Sequence, residues 1–242
     1  QDTRNQIRKD QFDQTDFRVV TFSAGYGDNL SLAFKGNISM AWSVREGVDF
    51  VTTIECFDGG YDFINSQSSV SFPADTPQQV VVESLVSDLK NLDKGAIGEI
   101  DGSIPKGNTY DGPTADLLVD VTGGQTGSSF FVDNMKANCI GPNECIEGDI
   151  ILINAASGLL GTPVIENQYI NFDMLFEPGV AIGQLVKLES LTADIGLSQK
   201  FSGLLKILAI KHRGVISGAV SGQAITSLGL LPGEFSPVRS AT

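Results

Sequence analysis

Helical periodicity in this chain is confined to one stretch, residues 76–121, and the sequence on either side reads as short strands broken by turns. Helices and strands therefore come in blocks. A parallel doubly wound sheet needs a helical crossover after nearly every strand, so block order argues against it and predicts a mainly β protein with an α+β insert. The 27 glycines and 9 prolines fit a chain that turns often.

Within TPQQVVVESLVSDLKNL, Val81 or Val82, Leu85, Val86, Leu89 and Leu92 recur at three- and four-residue spacing, the stripe of an amphipathic helix. Thr76 is placed to cap it, Pro77 to occupy its first position, and Gln79 to complete a capping box. A second helix is predicted over 113–121, with Leu117, Leu118 and Val121 on one face and Gly123-Gly124 to end it.

Upstream, FRVVTFSAGY, LSLAFKGNISMAWSV and DFVTTIECF are β-rich runs separated by YGDN and REG, which predicts an antiparallel unit over 17–72. Asp58-Gly59-Gly60 reads as a turn, and SSVSF at 68–72 as a strand that Pro73 ends. Downstream, SFFV and MKANCI flank Asp133-Asn134 as a hairpin. Strands are then predicted at DIILIN, VIENQYINFDMLF, QLVKLES, GLLKILAIKH and QAITSLGLL. The domains expected are 1–75 (first β), 76–150 (α+β middle) and 151–242 (second β).

Residue counts exclude much chemistry. Lys and Arg total 16 against 29 Asp and Glu, a net charge of −13, so phosphate-rich partners are repelled. His212 is the single histidine, which rules out a multi-histidine metal site within one chain. The three cysteines form no C-x-x-C pair, no Gly-Lys dipeptide of a P-loop occurs, and GYGDNL at 25–30 lacks the third glycine of a dinucleotide fingerprint. No G-x-S-x-G elbow is present. The N-terminal QDTRNQIRKDQFDQ carries no apolar h-region, and the glycine-rich uncharged run 214–233 reads as strand and turn, not as a membrane span.

The remaining candidates favour structural readings. His212 ends an apolar strand, and no sequence signature supplies it with a nucleophile and an orienting partner. Cys139 and Cys145 flank a Gly-Pro turn and are expected to be reduced thiols, with Cys56 a small core residue. Carboxylates pair at Glu99/Asp101, Glu144/Glu147/Asp149 and Glu55/Asp58, as chance allows in an acidic chain. No catalytic residue, metal ligand or cofactor is predicted.

An ordered series of motifs then resembles the hub proteins at the centre of tailed-bacteriophage baseplates. AGYGDN, FKGNISMAW and REGVDFVTTIECFDGG at 24–60 resemble the first tube-type β domain of that family. SGLLGTPVIENQYINFDMLFEPGVAIGQLVKLES at 157–190 and then FSGLLKILAIKHRGVISGAVSGQAITSLGL resemble the second. Gly158, Leu160, Gly161 and Pro163 stand at the family's Gly-Leu-Leu-Gly-x-Pro turn. Pro178, Gly183, Val186, Leu188 and Ser190 stand on the next strand, and Gly203, Lys206, Ile210, His212 and Gly214 on the one after. Val215 replaces the family's aspartate, so that loop is expected to make different contacts.

The resemblance implies two tail-tube-like antiparallel β-barrel or sandwich domains plus a small helical middle part, and further N-terminal strands ahead of this sequence. It implies a homotrimer whose domains build a pseudo-sixfold ring joining the tail tube protein to the central spike protein, beside other baseplate proteins. DNA or the tape-measure protein would pass through the lumen without specific binding, and this chain would insert in no membrane. The expected localisation is the virion, after assembly in the host cytoplasm. Gly158, Gly161, Pro163, Pro178, Gly183, His212 and Gly214 would be structural turn and strand-end residues. A receptor- or carbohydrate-binding β module is the alternative, weakened by a single Trp and four Tyr. A carboxylate-based peptidoglycan hydrolase is a further one.

Overall fold

The computed structural model describes residues 17–123, 129–189, 204–215 and 222–240. Ser190, Gly203 and Gly124 lie outside the described residues, as do residues 216–221, which follow Val215. The chain divides into two compact units. The first takes the described residues up to Phe22 and within Phe34–Gly95 and Glu99–Cys139; the second takes Ser23–Ala33, Ala96–Gly98 and the described residues from Ile140.

Strands β1 (Val19–Tyr26), β2 (Asn29–Glu46) and β3 (Asp49–Phe57) form a three-stranded sheet in chain order, at the places the β-rich runs predict. The chain turns at Asp58-Gly59, as the signal predicts, with Gly59 left-handed (φ 67°), and passes directly into a short helix, α1 (Gly60–Asn65). Six residues are too few for hydrophobic periodicity to show. Strand β4 (Gln67–Phe72) pairs antiparallel with β6 (Asn108–Pro113), and β5 (Asp93–Ile97), β8 (Lys136–Ile140) and β7 (Ser129–Asp133) form a second three-stranded sheet, in that order.

Helix α2 (Gln78–Ser87) buries Val81, Val82 and Leu85 completely and Val86 nearly so, as the stripe requires, and Leu89, just past its end, is buried too. Its start differs from the expectation. Pro77 is extended (φ −58°, ψ 137°), so the helix begins one residue later, and the Thr76 hydroxyl donates to Pro73 O at 2.8 Å. Gln79 does not reach back to close a capping box; its Oε1 accepts the Ile100 N–H (3.0 Å). The helix also stops at Ser87 with Asp88 as its cap, short of Leu92, while Asp88 accepts the Ser68 hydroxyl at 2.6 Å. Helix α3 (Thr114–Val121) follows Pro113 and buries Ala115, Leu118 and Val121, with Leu117 half-buried.

The β7–β8 hairpin turns at Asn134-Met135, one residue beyond the predicted dipeptide, with both residues left-handed (φ 54° and 64°). Asp58 explains how non-glycine residues hold that turn. Its carboxylate accepts the backbone N–H of Asn134 and, at 2.7 Å, that of Met135, while Asn134 Oδ1 accepts the Lys35 N–H at 2.9 Å.

The second unit is built on a six-stranded sheet. It runs in the order β10 (Ile151–Ile153), β13 (Leu185–Leu188), β14 (Leu204–Gly214), β15 (Ala224–Pro232), β12 (Tyr169–Leu175), β11 (Leu159–Glu166). Every neighbour pair is antiparallel except β10–β13. Strands β9 (Glu144–Ile146) and β16 (Ser236–Val238) pair in parallel beside it. The run VIENQYINFDMLF is not one strand, because the chain reverses at Asn167 (φ 59°) to give the end of β11 and all of β12. Alternation then works as period two dictates. Ile170, Phe172 and Met174 face inward with Leu228 and Leu230, and Leu205, Ile207, Val186 and Ile153 complete the core. The sheets and the small helical part make this the mainly β fold, with an α+β insert, that block order predicts.

All three cysteines are free, with no disulfide between them. No helix among the described residues is long and apolar enough to cross a membrane.

Candidate functional site: the strand-end corner of the second unit

The sheet pairing brings four of the seven singled-out residues to one end of the second unit. Strand β12 ends at Leu175, β14 ends at Gly214, and β15 begins at Ala224, so these three chain positions meet. Gly158 lies just before β11, and its carbonyl accepts the Leu175 N–H at 2.8 Å. Gly214 is the partner of Ala224, whose Cα would lie 2.7 Å from any Cβ added to the glycine. His212 is the partner of Thr226, and Pro178 is buried in the turn after β12.

The corner Phe176–Gly179 is pinned to this end by both its backbone and its side chains. Phe176 N–H donates to Ala224 O (3.1 Å), and Glu177 N–H to Thr226 Oγ1 (2.9 Å). His212 Nδ1 lies 2.9 Å from the same hydroxyl oxygen, and its ring meets Phe176 edge-on at 5.3 Å between centroids. Burial pushes the His212 pKa down, against an upward pull from Glu177. A histidine beside a hydroxyl and a carboxylate could suggest nucleophilic catalysis. Thr226, however, is 0% exposed and already holds a backbone N–H, so no substrate atom can reach it. The corner also forms one wall of a cleft of about 420 Å³, where Glu177 and Pro178 face the β1–β2 turn from Gly25 to Ser31.

The other three singled-out residues sit elsewhere in the unit. Gly161 and Pro163 occupy a bulge in β11, where the register jumps between Leu160 and Val164. Proline has no N–H to give a ladder, and an unpaired bulge position asks for none. Gly161 takes the positive φ (70°) that such a bulge needs, and Pro163 is buried. Gly183 closes a tight turn before β13, donating to Ile207 O and accepting from Ile146 N–H, both at 2.8 Å.

Lys206, another motif position, is 4% exposed. Its ammonium donates to Pro142 O (2.7 Å) and Glu144 O (3.0 Å) and stands 4.8 Å from the Phe235 ring centroid. It thereby ties the 142–144 loop to β14, and burial pushes its pKa down. Glu144 and Glu147 serve structure too. Glu144 Oε2 accepts the Gly141 N–H at 2.6 Å, and Glu147 pairs with Arg239 at 2.9 Å. No cluster of three metal-ligating side chains occurs among the described residues. Thr226, Phe176 and Glu177 were not legible as site residues, because the contacts that join them to His212 appear only when β12, β14 and β15 pair.

No curated protein sequence matches this chain. Solved structures resemble its fold. The 43 kDa tail protein of prophage MuSo2 from Shewanella oneidensis aligns with a TM-score of 0.55 at 8% identity, over 84% of this chain and 78% of its own. A tail protein from Neisseria meningitidis MC58 gives 0.54 at 6% identity, over 83% and 80%. The E. coli c3393 protein is a type VI secretion component described as structurally similar to the T4 tail proteins gp27 and gp5. It gives 0.57 at 9% identity, over 92% and 66%. A family profile described as baseplate hub gp41 matches residues 3–195, well over half of the sequence. The chain therefore belongs to the baseplate hub gp41 family, structural proteins of the phage tail.

Proposed function

We propose that the chain is a non-catalytic joint of the baseplate. Three copies assemble into a pseudo-sixfold ring that connects the tail tube to the central spike and serves as a conduit during genome ejection. Family membership carries this reading. The division proposed is a first tube-like domain within 1–75, a middle part within 76–150 and a second tube-like domain within 151–242. The three-stranded β1–β3 sheet and the six-stranded sheet fall in the first and last of these segments, and all three described helices lie in 60–121. Gly158, Gly161, Pro163, Pro178, Gly183, His212 and Gly214 act as turn and strand-end residues that shape the second domain. Assembly takes place in the host cytoplasm, and the chain ends in the virion.

The net charge of −13 supports an acidic lumen that repels DNA phosphates and lets the genome slide. Co-expression of this chain with the tube and spike proteins of its own phage tests the joint. Recovery of a complex with both, at three copies of this chain, is expected. Recovery of neither partner, alongside release of peptide or reducing ends from purified cell wall, would replace the joint with an enzyme.

A further inference from the structure

We propose that His212, Thr226 and Glu177 form a proton-sensitive latch that holds the Phe176–Gly179 corner against the strand end. The inference concerns the second unit alone and does not depend on ring formation. Thr226 Oγ1 accepts the Glu177 backbone N–H at 2.9 Å and lies 2.9 Å from His212 Nδ1; the latch assigns the hydroxyl proton to that nitrogen. In the closed latch the neutral imidazole accepts at Nδ1 and carries its proton on Nε2. A chain of two hydrogen bonds then runs from the corner backbone through the hydroxyl to the ring.

Protonation removes the lone pair that closes this chain. An imidazolium donates from both nitrogens, so the Thr226 hydroxyl loses its acceptor while fully buried. The corner must shift to give that hydroxyl a new partner, and the Glu177 N–H loses its fixed position. The surroundings are asymmetric in charge. The corner presents the Phe176 ring and the Glu177 carboxylate to His212, and β15 presents Thr226. From β14, Lys211 and Arg213 alternate onto the opposite face, and Asp173 of β12 is engaged there by Ser227 (2.5 Å) and Arg213 (4.0 Å). Burial disfavours the charged ring, so the latch is closed at neutral pH and opens in acid. Glu177 and Pro178 wall the cleft beside the β1–β2 turn, and opening the latch loosens that wall.

The single histidine makes the test direct. In the full chain, the imidazole Cε1 proton should titrate by NMR with a midpoint below 6.5, the ordinary histidine value. Glu177 amide protection, corrected for intrinsic exchange, should fall about tenfold as pH drops through that midpoint, the scale of one lost buried hydrogen bond. His212→Asn offers a non-titrating acceptor and should keep protection at both pH values. Thr226→Val should lose protection at both. Unchanged protection across the wild-type midpoint would overturn the latch, as would an equal pH-dependent fall in His212→Asn.

Discussion

Replacing Gly183 with alanine separates two costs that a tight turn imposes. The backbone at Gly183 is left-handed (φ 87°), which costs an L-residue about 1–2 kcal/mol. An added Cβ would also stand 3.0 and 3.1 Å from Ile146 Cγ1 and Cδ1 and 3.2 Å from Ile140 Cδ1. Those contacts are with side-chain atoms that can move a few tenths of an ångström, so crowding adds about 1–2 kcal/mol, the low end of overpacking. The sum is about 2–4 kcal/mol, a large share of a typical stability of about 5–15 kcal/mol. At roughly 2–4 °C per kcal/mol for a chain this long, Tm should fall by about 5–15 °C. Gly161 is the internal control. It too is left-handed (φ 70°), but nothing lies within 4 Å of its added Cβ. Gly161→Ala should therefore show the backbone cost alone, about 1–2 kcal/mol. Differential scanning calorimetry of the two variants reads the difference. Equal shifts, or a larger shift at Gly161, would refute the claim that Ile146 and Ile140 close on Gly183.

Asp58→Ala should destabilise the chain by about 2–4 kcal/mol in urea melts, because two hairpin N–H groups lose their acceptor; an unchanged midpoint would show that water replaces the carboxylate without cost. The depressed pKa of His212 gives a pH dependence of definite sign. Below about pH 6.5 the unfolded chain binds a proton that the folded chain resists, so stability falls as pH drops through that value and levels off below the folded pKa. Tm measured at pH 7.5 and pH 5.5 should drop more in the wild type than in His212→Asn; equal drops would mean that the imidazole is not the group responsible. Leu85→Asp places a carboxylate where the side chain is 0% exposed and should abolish folding, which circular dichroism would show as loss of a cooperative melt.

Elements whose identity lies in a long pattern were readable from the sequence, and those set by one or two partners were not. The α2 stripe and the alternation of β12 and β15 are repeated signals, and each maps onto buried faces. The Thr76 cap failed because a hydroxyl can serve a helix or a preceding carbonyl equally well, and the extended Pro77 decided between them. The reversal at Asn167 lay hidden in an unbroken β-rich run, since asparagine takes positive φ without the mark that glycine leaves. At the candidate site, Gly158, Pro178, His212 and Gly214 were legible individually as motif positions. Their meeting at one strand end depends on pairings between residues well separated in sequence, such as His212 with Thr226, 14 positions on, and Met174 with Thr226, 52 positions on. Lys206 stood out as a motif lysine, but nothing local announced that it would bond the 142–144 carbonyls.

Negative-stain electron microscopy of the purified chain at high concentration tests the central claim most directly. The account predicts three-fold rings with six lobes and an open centre. Compact particles with no central opening, at every concentration and in the presence of the tube and spike proteins, would contradict it.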